Sequence, residues 1–169
     1  MDCYVALGSN LGDRARHLRF GLSRLAEAEL APLAESSVWE TEPVGIGAAP
    51  WFWNMAVKVA SRADPFDLLR LLLEVERAAG RVRGPDSGSR TLDLDLLLVG
   101  DLRLSDERLT LPHPRMWSRG FVLAPLAEIA PDLVNPASGR TVAQERRQLA
   151  AGGELRRLGS LARQEASSL

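Results

Sequence analysis

The stretch Arg90-Thr91-Leu92-Asp93-Leu94-Asp95-Leu96-Leu97-Leu98-Val99 decides how this chain folds. It is short, aliphatic and closed by Gly100-Asp101, the composition of a β-strand ending in a tight turn. Side chains alternate across a strand, so Asp93 and Asp95 share one face and Leu92, Leu94 and Leu96 the other. The two acids would have Cα atoms roughly 6.5–7 Å apart, close enough to serve one metal cluster. Two like charges on a half-buried face repel, and each resists desolvation. A divalent cation resolves both problems. Mg²⁺ suits such a pair, because it takes a carboxylate or two and completes its shell with water and substrate phosphates. The plainer alternative is that both acids decorate the wet face of an exposed sheet.

Working outward from this strand gives the order of elements. Cys3 to Gly8 is an apolar strand, and Asn10 is placed to cap the next helix, with Asp13 near its positive end. Leu11, Ala15, Leu18, Leu22, Leu25 and Ala26 form that helix's apolar stripe, and Pro32 ends the run. Ser36 to Glu40 reads as a second strand, followed by a Gly/Pro/Ala-rich loop from Thr41 to Pro50. Phe52 to Ala60 alternates, with Trp53, Met55, Val57 and Val59 on one face and Phe52, Asn54, Ala56 and Lys58 on the other. Asp64-Pro65 opens a helix rich in leucine that stops at Gly80. Residues 81–90 then form a Gly/Ser/Arg loop leading into the Asp-x-Asp strand. The order β-α-β-β-α-β predicts an α+β, ferredoxin-like sandwich with additional C-terminal strands and helices. Both helices lie on one sheet face, and the other face stays open for ligands. A polar tail after residue 150 reads as a peripheral, loose helix on a single domain spanning residues 1–169.

Arginine surrounds the acidic pair. Arg81, Arg83 and Arg90 precede it, and Arg108, His113, Arg115 and Arg119 follow it. Guanidinium forks for phosphate oxygens beside carboxylates for a metal match a polyphosphate with bound Mg²⁺. A Walker A loop is absent, since the only lysine, Lys58, sits in the strand-like Ala56-Val57-Lys58-Val59. Gly8-Ser9-Asn10-Leu11-Gly12 lacks the G-x-G-x-x-G spacing and reads as a strand-to-helix turn.

Bulk properties fit a compact enzyme. The 169 residues are 46% hydrophobic and 25% charged, enough for a real core. The net charge of −1 argues against a general nucleic-acid binder. Cys3 has no cysteine to pair with, no signal-like N-terminus is present, and no apolar run is long enough for a membrane span. A cytoplasmic protein is expected, with neither nucleic acid nor membrane as partner.

Motifs dispersed over residues 4–136 carry a resemblance to a known family. They are Ala6-Leu7-Gly8-Ser9-Asn10-Leu11-Gly12, Thr41-Glu42-Pro43-Val44-Gly45, Phe52-Trp53-Asn54 and Gly80-Arg81-Val82-Arg83. Arg90-Thr91-Leu92-Asp93-Leu94-Asp95, Leu111-Pro112-His113-Pro114-Arg115 and Arg119-Gly120-Phe121, running to Pro125-Leu126, complete the set. In this order they resemble 6-hydroxymethyl-7,8-dihydropterin pyrophosphokinase of folate biosynthesis. The resemblance implies transfer of the pyrophosphoryl group of ATP to the pterin's hydroxymethyl oxygen, with AMP released and two Mg²⁺ ions assisting. It implies that Asp93 and Asp95 hold the metals and that Arg81 and Arg90 pair with the α/β-phosphates, these four being the catalytic set. Deprotonation of the hydroxymethyl group falls to Asp93 or to a metal. Glu76, Arg83, Arg90, Arg108, Thr110, His113 and Arg119 fall where the family binds ATP. Thr41, Glu42, Val44, Phe52, Asn54 and Phe121 fall where it binds pterin, between two aromatic rings. Other folate-pathway enzymes are the expected functional neighbours.

The chain departs from the family's pattern before the acidic strand, where Ser87-Gly88-Ser89-Arg90 replaces an aromatic followed by Gly-Pro-Arg. The segment 84–89, the family's lid, is therefore expected to close in a less organised way. Three rivals follow: the same fold and pterin site with lost or weak turnover, a non-catalytic small-molecule binder, and an RNA-recognition module. The last needs aromatics on its central strands and a basic sheet face. Tyr4-Val5-Ala6 and the acidic strand supply one aromatic and two acids instead.

Overall fold

The computed structural model describes residues 1–43, 48–80, 88–149 and 153–165. The first strand, β1 (Asp2–Ser9), leads into α1 (Arg14–Glu27), a two-residue strand β2 (Ala34–Glu35), β3 (Val38–Thr41) and β4 (Phe52–Ala60). Next come α2 (Pro65–Ala78) and β5 (Asp93–Val99), then a small ribbon of β6 (Leu104–Ser105) and β7 (Thr110–Leu111). A 3₁₀ turn (Met116–Ser118), α3 (Gly120–Ile129), α4 (Val142–Gln148) and β8 (Leu155–Gly159) follow, and a second 3₁₀ segment (Leu161–Glu165) ends the description. The main sheet runs β5-β1-β4-β3-β8, all antiparallel, with β2 also pairing β4. Its first four strands are the expected ferredoxin-like order.

Local chemistry explains the helices. Asp64 caps α2 by accepting from Phe66 N–H at 2.8 Å, Pro65 occupies the first turn, and Gly80 follows the helix at φ +81°, a conformation few other residues tolerate. The cap of α1 differs from expectation. Asp13, not Asn10, accepts the Arg16 N–H at 3.0 Å, because the helix starts three residues later than the motif suggested. Gly21 lets α1 settle on the sheet, since a Cβ there would meet Leu7 and Leu92 methyls at 3.2 and 3.3 Å.

The alternation predicted for β5 holds through Leu96. There a bulge intervenes: Tyr4 pairs with Leu98 and Val5 with Leu96, leaving Leu97 as the extra residue. Cys3, Val5 and Leu7 of β1, Met55, Val57 and Val59 of β4, and Leu94 and Leu96 of β5 form one core with Leu18, Leu25, Leu68 and Leu72 of the two helices. The opposite face is less open than expected. Tyr4, Ala56 and Leu98 are covered by Met116, Val122, Leu123 and Leu126, because the run 120–129, apolar except for Glu128, folds as α3 onto that side. The end of this face carrying Gly8, Asn54 and Asp93 is left uncovered by α3 and opens into a cavity.

Among its described residues the tail is a strand and a 3₁₀ segment, not a loose helix. Residues 155–159 form β8 at the sheet edge beside β3, and Leu161 is buried in the first core. Among the described residues no helix is long and apolar enough to cross a membrane.

Candidate active site

In the sheet register Gly8 lies between Asn54 of β4 and Asp93 of β5, and Ala6 lies opposite Asp95. Period-two alternation therefore puts Asp93 and Asp95 on the open face beside Asn54. A Cβ at position 8 would fall 2.7 Å from Asn54 Oδ1 and 3.8 Å from a Phe52 ring carbon. The missing side chain is the space that Asn54 occupies. Asn54 Nδ2 donates to Thr41 Oγ1 at 2.7 Å, which fixes the amide and orients its oxygen over Gly8.

Two cavities meet here. One, of about 140 Å³, is lined by Thr41, Glu42, Phe52, Asn54, Gly88 and Phe121. The other, of about 420 Å³, is lined by Glu76, Asp95, Asp106, Arg108, Thr110, His113 and Arg115. Arg90, Asp93 and Arg119 line both. The first cavity is flat-walled, aromatic and has an amide at its floor. The second is rich in guanidinium groups. A larger groove of about 700 Å³ lies at the opposite end of the sheet, beside Met1, Glu29, Ser61 and Leu71, and gathers no comparable chemistry.

The shared wall is a charge network. Arg90 Nη1 lies 2.5 Å from Asp93 Oδ2, and Arg119 Nη1 lies 3.7 Å from Asp95 Oδ2. The Arg119 guanidinium also sits over the Phe121 ring at 5.5 Å. Burial, reinforced by the neighbouring Asp93 charge, raises the Asp95 pKa above its ordinary value, although His113, Arg119 and Arg90 pull it back. Such a carboxylate gains from a cation. Burial also lowers the His113 pKa against the pull of Asp95, with Arg119 and Arg115 adding to the fall. Its Nδ1 accepts the Arg115 backbone N–H at 3.2 Å, so the neutral ring carries its proton on Nε2.

Of the residues expected in the site, Thr41, Glu42, Phe52, Asn54 and Phe121 converge on the smaller cavity. Glu76, Arg90, Arg108, Thr110, His113 and Arg119 converge on the larger. Arg81, Arg83 and Val44 lie outside the described residues, as does most of the 84–89 segment. Glu76 is 3% exposed and its Oε1 accepts the Leu94 N–H at 2.8 Å, so it caps the edge of β5 from the cavity floor. Arg108 is held by Asp106 at 3.2 Å and stacks on Phe66 at 4.3 Å. Gly8 and Asn10 were read from the sequence only as part of a strand-to-helix turn, and Arg115 only as one of the surrounding arginines, so none of the three was assigned to the site. A glycine inside an apolar strand was the available signal for the first.

The donor set fits a divalent cation. Asp93 and Asp95 supply two hard oxygen ligands, and among the described residues no group of three or more His, Cys, Asp or Glu gathers. A pair of carboxylates leaves the rest of such a cation's shell to phosphates and water.

Comparison with known proteins agrees. Residues 4–131 match the model of the family described as 7,8-dihydro-6-hydroxymethylpterin-pyrophosphokinase (HPPK). A Bacillus subtilis protein named 2-amino-4-hydroxy-6-hydroxymethyldihydropteridine pyrophosphokinase is 43% identical over 143 residues, covering 84% of this chain and 86% of that one. A Methylorubrum extorquens protein of the same name is 44% identical over 140 residues, covering 82% and 87%. A crystal structure of wild-type Plasmodium falciparum HPPK-DHPS superposes with a TM-score of 0.63 at 14% identity, a likeness of fold. It covers 87% of this chain, which spans 43% of that longer one. With its family motif, its relatives and its two joined cavities in agreement, this chain belongs to the 7,8-dihydro-6-hydroxymethylpterin-pyrophosphokinase family.

Proposed function

We propose that this protein transfers the pyrophosphoryl group of ATP to the hydroxymethyl oxygen of 6-hydroxymethyl-7,8-dihydropterin, giving the pterin diphosphate and AMP for folate biosynthesis. The carrying observation is the pair of cavities joined at Arg90, Asp93 and Arg119. A flat heterocycle suits the aromatic cavity and a polyphosphate suits the arginine-rich one, so the reacting ends would meet at the shared wall.

In this reading Phe52 and Phe121 stack on the pterin faces, and Asn54, Thr41, Glu42 and Val44 match its polar edge. Arg108, Thr110, His113, Arg83 and Glu76 hold the nucleotide. The hydroxymethyl oxygen forms a bond to the β-phosphorus while the bond from that phosphorus to the oxygen bridging it to the α-phosphorus breaks, and AMP leaves with that oxygen. Arg90, Arg81 and Arg119 stabilise the negative charge that moves onto the leaving α-phosphate. Asp93, on the shared wall, is the carboxylate assigned to the hydroxyl proton. Asp93 and Asp95 would hold two Mg²⁺ ions, which when bound neutralise phosphate charge during transfer. The reading in which turnover has been lost is not favoured, since relatives 43% and 44% identical carry the pyrophosphokinase name.

AMP formation from ATP and Mg²⁺, with and without the pterin, tests this beside Asp95→Ala. Pterin-dependent AMP that disappears in the variant is expected. Tight pterin binding with no AMP from the parent chain would instead restore the lost-turnover reading.

A further inference from the structure

We infer that Asn10 is a positioning residue that sets Arg90 at the shared wall and ties it to the segment entering the aromatic cavity. The inference rests on the pyrophosphokinase reading above. Asn10 is 2% exposed and lies just beyond β1, where a buried amide must find partners. It clamps Arg90 twice: its Oδ1 accepts the Arg90 N–H at 2.6 Å, and its own N–H donates to the Arg90 carbonyl at 3.1 Å. Its Nδ2 donates to the Pro50 carbonyl at 3.1 Å and to Ser89 Oγ at 3.3 Å. Pro50 stands two residues before Phe52, and Ser89 and Arg90 lead into the acidic strand.

One side chain thus joins segments 40 and 80 positions away in sequence. Arg14 reinforces the first of them, donating from Nη1 to the Trp51 carbonyl at 2.7 Å. With both main-chain groups of Arg90 held, its guanidinium approaches Asp93 from a fixed base. Alanine at position 10 would leave the Arg90 N–H and the Pro50 carbonyl without these partners. A displacement of about 1 Å at a reacting group is enough to slow chemistry about 100-fold. Asp at the same position keeps an acceptor for Arg90 but loses the donor to Pro50, so it separates the two connections.

Steady-state kinetics of Asn10→Ala, Arg90→Ala, the double variant and Asn10→Asp test the assignment, with amide hydrogen exchange read at Arg90. Asn10→Ala is expected to lower kcat about 10- to 100-fold with a smaller change in the KM for ATP. In the Arg90→Ala background the same substitution should cost less than about 2-fold, because its route through Arg90 is already gone. Asn10→Asp should raise the pterin KM about 5- to 10-fold while retaining more kcat than Asn10→Ala, roughly the loss of one hydrogen-bonded tie. Equal losses of kcat in both Arg90 backgrounds, or an unchanged kcat, would overturn the inference. If Asn10→Ala does not fold, the Asn10→Asp split decides, and a kcat loss with unchanged pterin KM overturns it. A parent chain making no pterin-dependent AMP would sink the functional reading instead. Exchange at Arg90 would still report on the clamp: faster in Asn10→Ala or, if that variant does not fold, in Asn10→Gly supports it, and unchanged overturns it.

Discussion

Gly8 and Asp95 act through opposite properties, one by having no side chain and the other by carrying a charge in a confined place. Gly8→Ala would bring a methyl to 2.7 Å from Asn54 Oδ1, so the amide must turn away from Thr41. The expected outcome is about 1–3 kcal/mol of destabilisation and a pterin affinity at least about tenfold weaker, read by thermal unfolding and titration calorimetry. A Gly8→Ala chain that binds pterin like the parent would contradict the placing of Asn54 at the cavity floor. Asp95→Asn keeps the shape but removes a confined like charge beside Asp93. Turnover should fall at least about 100-fold, the scale of losing a charge-stabilising group. The ligand-free thermal midpoint should nonetheless equal or exceed the parent's, and a large drop would show Asp95 to be structural. The facing of Asp93 and Asp95 was legible in the sequence, because alternation is a local property of any strand. The role of Asn10 was not, since all its partners but its chain neighbours come from segments 40 and 80 positions away.

Between elements, Glu128 of α3 shows how the C-terminal half braces the sheet. Its carboxylate accepts from Trp39 Nε1 at 2.6 Å, from Ser37 N–H at 3.3 Å and from Arg157 Nη2 at 3.2 Å, joining α3 to β3 and β8. Burial pushes its pKa up, but the hydrogen bonds from Arg157, Trp39 and Ser37 together outweigh it, and the net shift is downward from 4.5. A depressed acid contributes stability above its unfolded pKa and loses it as pH falls through the folded value. Glu128→Gln should therefore cost about 1–2 kcal/mol near pH 7, and the gap from the parent should close as pH drops below about 4.5. Urea unfolding followed by tryptophan emission at both pH values measures it; a gap that persists in acid would mean the carboxylate's charge is not what holds these elements together. The helix start at Pro65 and stop at Gly80 could be read locally because caps are short-range. β8 could not, since Leu-Arg-Arg-Leu has no alternation of its own and becomes a strand only because β3 offers an edge.

At the scale of the whole molecule, the two faces of the sheet divide the work. One carries the larger apolar core under α1 and α2; the other is covered by α3 at one end and left as joined cavities at the other. Because the core is apolar and the candidate metal ligands sit at the cavity wall, a metal held there would serve the reaction and not the fold. Chelation with EDTA should abolish AMP formation while the nucleotide-free thermal midpoint moves by less than about 2 °C, a shift worth under about 1 kcal/mol in a chain of this size. A collapse of the fold on chelation would reverse that assignment. What the sequence by itself determined was the order of elements, the shared face of the two acids and the family to which their motifs point. Those depend on periods of two and 3.6, on caps and on residue types, all expressed within a few positions of the chain. Only the tertiary structure decided that α3 covers half of the second face, that Arg90, Asp93 and Arg119 form one wall for two cavities, and that Asn10 joins two distant segments. Each of these depends on which surfaces meet when the apolar faces are buried, a property of the folded whole that no short stretch encodes.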